Sequence, residues 1–160
     1  MESDGERDRE GIFGIMESSV FLDANIFMYA AGKPHPHKNP CLHILKDVEI
    51  RTLVSAVNTE ILQELLYRYR HIGIADKGIQ LCKDILKYPL KILPVMEADM
   101  RLAIDLFDQH RKNGVKPRDA IHAATMKNNR IVKIISADRD FDNFDFLNRI
   151  DPKDYVSQTL

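Results

Sequence analysis

Short apolar runs suited to strands alternate with helix-period segments along nearly the whole chain, and no other feature of the sequence restricts its fold as strongly. SVFLDA, RTLVSAV, KILPV and IVKIIS are each rich in β-branched, aliphatic or aromatic residues and are too short for helices. Between them lie helical patterns: PCLHILKDV with Pro40 in a first turn, then a segment from Asn58 whose Ile61, Leu62, Leu65, Leu66 and Tyr69 form one apolar face. Further helices are expected over 75–87, over 97–113 with Ala103, Ile104, Leu106 and Phe107 inward and Gly114 past the end, and from Pro117 onward. A turn or short helix and a weak last strand around Phe146 to Ile150 follow. Alternation of this kind requires parallel pairing and right-handed crossovers, hence an α/β fold: a three-layer α/β/α sandwich with a mainly parallel central sheet. At 160 residues this is one domain, over 18–152, between a flexible N-terminal extension (1–17) and a C-terminal tail (153–160). Met16 stands just before the first strand as a second candidate for the start of translation.

In such sheets ligands bind beyond the carboxyl ends of the strands, where Asp23 and Asp138 fall. Glu64 and Asp119 lie on predicted helices, in NTEILQELLYRY and PRDAIHAAT. Four carboxylates aimed at one point repel one another unless a cation joins them. Oxygen-only ligation favours Mg²⁺ or Mn²⁺ over zinc. A zinc reading of His35, His37, Cys41 and His43 is weak, because Pro34, Pro36 and Pro40 make the HPH segment a loop while Cys41 begins a helix. Cys41 and Cys82 sit in helical patterns and read as reduced core thiols, which places the chain in the cytoplasm. Its apolar runs fall far short of the roughly 18 residues a membrane span needs. Asp99, in a first helical turn, reads as a charge favourable to the helix dipole.

Charge is uneven along the chain. Residues 1–19 hold six acids against Arg7 and Arg9, a net −4 that leaves the remainder at +3 within an overall −1. Once the four acids are neutralised the body is more basic still, which suits a polyanionic substrate. Arg68, Arg70, Lys112, Lys116, Arg118 and Arg139 are candidates for phosphate contact. Lys116 and Arg118 rank first because they flank Asp119 at a helix start. With no Trp and no aromatic ladder, extended base stacking is not indicated.

Four blocks, FLDANIFMYA, EILQELLYRY, KPRDAIHAA and ISADRDFD, in this order and context resemble the PIN-domain nucleases, most closely toxin ribonucleases of the VapC type, from about Val20 to Pro152. The resemblance implies a metal site of Asp23, Glu64, Asp119 and Asp138, catalytic through Mg²⁺ or Mn²⁺, and hydrolysis of RNA phosphodiester bonds. It also implies a small antitoxin partner and a homodimer. Glu60 competes with Glu64 on the same helical face, and the family's Leu-x-Glu-Leu pattern favours Glu64. Asp140 and Asp142 compete with Asp138, which starts the family's Asp-x-Asp-Phe. Around the site, Asn25 reads as a helix cap that also bonds an acid, Ser136 as a hydroxyl orienting Asp138, and Glu60 and Asp142 as outer acids. His122, one turn after Asp119, reads as close helix packing before catalysis. Housekeeping RNA processing and a non-catalytic RNA-binding or scaffold module are the alternatives. A phospho-aspartyl phosphatase would want an acid where Asn25 stands.

Overall fold

A computed structural model describes residues 18–157, so the sequence expectation for residues 1–17 lies outside the described residues, as does the end of the tail. Five strands form one sheet in the order β3-β2-β1-β4-β5, every pair parallel: β1 Val20–Leu22, β2 Ser55–Asn58, β3 Lys91–Leu93, β4 Lys133–Ile135 and β5 Asn148–Ile150. Six α-helices connect them: α1 Ala24–Ala31, α2 Lys38–Glu49, α3 Thr59–His71, α4 Ala75–Ile85, α5 Glu97–His110 and α6 Pro117–Asn128. They pack in consecutive pairs, α1 with α2, α3 with α4 and α5 with α6, and cover the sheet in an α/β/α arrangement. None is long and apolar enough to cross a membrane.

The core explains why β1 is central. Phe21 and Leu22 are wholly buried, as are Ile26 and Phe27 on α1, Ile61 and Leu65 on α3, Met126 on α6, and Ile134 and Ile135 on β4. Each such side chain stabilises the fold by roughly 1.5–3 kcal/mol. The chain leaves β1 toward β2 on one side and returns later to β4 on the other, so the strand order reverses between β1 and β4. That crevice is where an open parallel sheet binds its ligand.

Several boundaries differ from the sequence expectation. β2 begins only at Ser55, because the Thr52 and Leu53 amides donate to the Asp47 carbonyl (2.9 and 3.1 Å) and Arg51 takes a positive φ, which closes the chain against the end of α2. α5 ends at His110 and tightens into a 3₁₀ turn, Arg111–Asn113, stopped by Gly114 at φ 91°. Ile104 and Leu66, assigned to buried faces, are exposed. On α3 the buried row Ile61, Leu65, Tyr69 repeats every four residues, and Leu66 falls one step of about 100° beyond it. α5 is buried along a narrow stripe of Ala103 and Leu106 facing its neighbour, which leaves Ile104 outside.

Asp99 is more than a dipole charge. It is buried, accepts from the Met96 amide (2.8 Å) and from Asn128 Nδ2 (2.8 Å), and so caps α5 while tying it to the end of α6. Residues 153–157 also belong to the packed body: Tyr155 Oη and Ser157 Oγ both donate to Asp47 Oδ2 (2.8 and 2.6 Å). Cys41 and Cys82 are buried free thiols, and burial, helped by Asp151, pushes Cys41 up to about 12.

Candidate metal centre

The β1–β4 ladder runs one residue past the strands, since the Asp23 amide donates to the Ile135 carbonyl (3.2 Å), and it thereby sets Asp23 beside Ser136 at the switch crevice. Asp23 caps α1 through Oδ1, which accepts from the Ala24 amide (2.8 Å). Its Oδ2 accepts from Ser136 Oγ (2.6 Å) and Asn25 Nδ2 (3.1 Å). The cap of α1 is therefore Asp23, while Asn25 holds Asp23 and Ser136 together (3.2 Å to Ser136 Oγ). Ser136 has one hydroxyl proton and spends it on Asp23, so its hydroxyl does not orient the Asp138 carboxylate as expected. It reaches Asp138 only by accepting from that residue's amide (3.0 Å).

Asn58 caps α3 by accepting from the Ile61 amide (3.0 Å), which fixes the register that turns Glu64 inward. Glu64 is buried between two guanidinium groups and an imidazole: Arg68 Nε at 3.3 Å, Arg118 Nε at 3.4 Å and His122 Nε2 at 3.3 Å. Burial alone would raise its carboxyl. The hydrogen bond and charge of His122, with Arg68 and Arg118, outweigh that and hold it below the ordinary Glu range. Glu60, a turn earlier and half-buried, is raised, chiefly by burial. Arg68 and Arg118 each pair with Glu64 through Nε.

Asp119 accepts from the Lys116 amide (3.0 Å), closing the first turn of α6 behind Pro117. Burial first, then Asp138 and Asp23, push its carboxyl up to about 6 against the opposing Lys116 bond. Asp23 is likewise raised, by burial and by Glu64, despite His122, Ser136 and the Ala24 amide. Asp138 caps the 3₁₀ turn Arg139–Asn143 by accepting from the Asp140 amide (2.9 Å). That fold-back brings Asp140, not Asp142, alongside Asp138.

Two sets of donor atoms gather within 4.8 Å: Asp23, Glu64 and His122, and Asp119, Asp138 and Asp140. Asp119 feels the charges of both Asp138 and Asp23, so the two sets are electrostatic neighbours. Asp142 lies outside both, bound to Arg149 on β5 (2.8 Å). His122 and Asp140 are additions to the four sequence candidates. His122 is fully buried with Nδ1 unpartnered, so it is neither mere packing filler nor a solvent-facing base. At the rim, Lys116 Nζ lies 3.5 Å from Asp140 and 4.0 Å from Asp138, and Arg139, between them in sequence, is exposed. His35 and His37 instead stack with Tyr29, faces parallel and centroids 4.6–5.2 Å apart, an arrangement that does not converge on an ion.

Residues 20–147 match the family model described as the PIN domain. The chain belongs to the PIN-domain family. It is 30% identical over 132 residues to Ribonuclease VapC13 of Mycobacterium tuberculosis, a match covering 82% of this chain and 98% of the relative. A second relative, Ribonuclease VapC23 of the same species, is 31% identical over 122 residues, covering 74% and 92%. Among solved structures, the M. tuberculosis toxin VapC20, described as cleaving the sarcin-ricin loop, superposes with a TM-score of 0.67 at 14% identity, covering 78% of this chain and 94% of that one. FitAcB from Neisseria gonorrhoeae gives 0.63 at 17%, covering 84% and 98%. At these identities the two structures confirm the PIN fold itself.

Proposed function

We propose that this PIN-domain chain is a metal-dependent endoribonuclease that hydrolyses RNA phosphodiester bonds, acting as the toxin of a toxin–antitoxin pair. The observation that carries the reading is the gathering of Asp23 with Glu64, and of Asp119 with Asp138 and Asp140, at the switch crevice, where burial and neighbouring acids push the Asp119 carboxyl up. A fold that needs no cation there has no reason to gather so many carboxylates at the switch crevice of its sheet. Ribonuclease relatives at 30–31% identity, and a neighbour described as a toxin–antitoxin complex from Klebsiella pneumoniae, point to the same activity and to a small antitoxin partner.

The donors fit a hard divalent ion. Asp23, Glu64, Asp119 and Asp138 would hold Mg²⁺ or Mn²⁺, with Asp140 beside Asp119 and Asp138. Such an ion supplies Lewis acidity toward the phosphate and activation of water. Ser136 and Asn25 fix the Asp23 carboxylate, so its lone pairs need not reorganise during the reaction. Arg68, Arg118 and His122 hold Glu64 ionised and stationary. Lys116, with the exposed Arg139 as a second candidate, would meet an RNA phosphate at the rim, and Lys116 can exchange its long contacts to Asp138 and Asp140 for that phosphate. An RNA substrate and buried free thiols agree with a cytoplasmic setting. A homodimer belongs to the same reading, and light scattering on the purified chain checks it.

The test is cleavage of single-stranded and structured RNAs by protein freed of any copurified antitoxin. EDTA should abolish cutting, and Mg²⁺ or Mn²⁺ should restore it. Undiminished cutting in EDTA would defeat the metal mechanism.

A further inference from the structure

Beside the acidic centre, a cavity of about 420 Å³ opens between α3 and α6, and its lining differs in kind from the acids. α3 contributes Glu60, Gln63 and Tyr67, spaced by three and four residues along its outer face. The first turns of α6 contribute Lys116, Arg118 and Ile121. A second cavity, about 480 Å³ between α1, α2 and α4, is mainly apolar and includes none of the six residues gathered at the crevice.

Two cations join the α3–α6 cavity to the centre. Lys116 reaches Asp138 and Asp140, and Arg118 reaches Glu64, so both line the cavity and border the acids at once. A phosphate seated against Lys116 at the centre would carry its attached nucleoside toward this cavity. The lining suits a base. Tyr67 is 53% exposed and offers an aromatic face, while Ile121 supplies an aliphatic surface. Gln63 carries an amide donor and acceptor, the pair needed to bond the edge of an unstacked base, and Glu60 adds a second acceptor.

We infer that this cavity seats the nucleoside next to the cleaved phosphate, and that Tyr67 by stacking and Gln63 by edge hydrogen bonds set the base preference there. The substrate is then single-stranded at the cut, because a paired base presents neither its face nor its edge to such a groove. This inference rests on the nuclease reading above, and the test separates the two.

The probe is a random-sequence single-stranded RNA oligonucleotide pool with Mn²⁺, cleavage ends being mapped for wild type, Gln63→Ala, Tyr67→Ala and Tyr67→Phe. Thermal melts confirm folding, which the exposure of both side chains favours. Wild type should show a base preference at one nucleotide flanking the cut. Gln63→Ala should flatten that preference at this position alone. On a favoured oligonucleotide Tyr67→Ala should raise KM roughly tenfold, within the range for loss of one base–aromatic stack, and move kcat far less. Tyr67→Phe should restore the wild-type KM. Robust cleavage with preference and KM unchanged in both alanine variants would overturn this inference and leave the nuclease reading standing. Absence of cleavage of any RNA by wild type would overturn both.

Discussion

Replacing Asp119 by Asn should stabilise the metal-free protein, and only above a definite pH. The Asp119 carboxyl stands near 6 in the folded chain against 3.8 for an unperturbed Asp, because burial and the charges of Asp138 and Asp23 oppose its ionisation. A raised folded-state value means that ionisation is costlier in the fold than in the unfolded chain. Below about pH 3.8 both states hold the proton and nothing is lost; as pH rises through 6 the cost develops fully. The shift of about two units corresponds to roughly 3 kcal/mol. Asn keeps the size of the side chain and an oxygen that can accept from the Lys116 amide, but carries no charge to suppress. Chemical unfolding of EDTA-treated wild type and Asp119→Asn should therefore agree near pH 4 and diverge by up to about 3 kcal/mol near pH 7.5, with the variant more stable. Added Mn²⁺ should raise wild type more than the variant, since bound ion offsets the same repulsion. A stability difference that stays flat between pH 4 and 7.5 would refute the claim that the Asp119 charge is opposed in the bare protein.

Glu64→Gln should have the opposite sign, losing on the order of 1–3 kcal/mol at pH 7 because Arg68, Arg118 and His122 would face a neutral amide. Because the folded Glu64 carboxyl is depressed, this loss is full above about pH 4.5 and fades as pH falls through the folded value, which paired urea titrations would reveal. The same variant should cut RNA at least about tenfold more slowly, a barrier increase of about 1.4 kcal/mol, while Glu60→Gln does much less; the reverse order in single-turnover assays would shift the site by one turn. Gly78→Ala should destabilise by roughly 1–3 kcal/mol, because a Cβ there would lie 2.6 Å from Tyr69 Cβ where α4 crosses α3, and a melt at or above the wild-type temperature would contradict that packing.

The sheet and its helices were legible because their signals are local: a run of aliphatic residues, a cap such as Asn58, a proline at a first turn. The acids at the carboxyl ends of β1 and β4 were legible for the same reason. What sequence could not supply was who meets whom across the fold. Arg118 and Arg68 looked like phosphate ligands, yet they surround Glu64, because a buried carboxylate takes the nearest cations whether or not substrate needs them. His122 looked like packing, and only the meeting of α3 and α6 places its Nε2 against Glu64. Asp142 and Asp140 stand two residues apart in a turn whose geometry decides which joins Asp138, and Arg149, seven residues on, claims Asp142. One signal was available: Arg68 lies four residues after Glu64 on the same helix, the spacing of an ordinary ion pair.

The most direct measurement of the central claim is the single-turnover rate of RNA cleavage by Asp23→Asn, made in saturating Mn²⁺ on a preparation whose melt shows it folded. Asp23 sits at the sheet's switch crevice, with Oδ2 held by Ser136 and Asn25. The substitution removes one charge from the cluster with little change of volume. A melt equal to or above wild type with cleavage lost is the predicted result. Cleavage at the wild-type rate by the folded variant would contradict it and remove Asp23, with the metal centre built around it, from the chemistry.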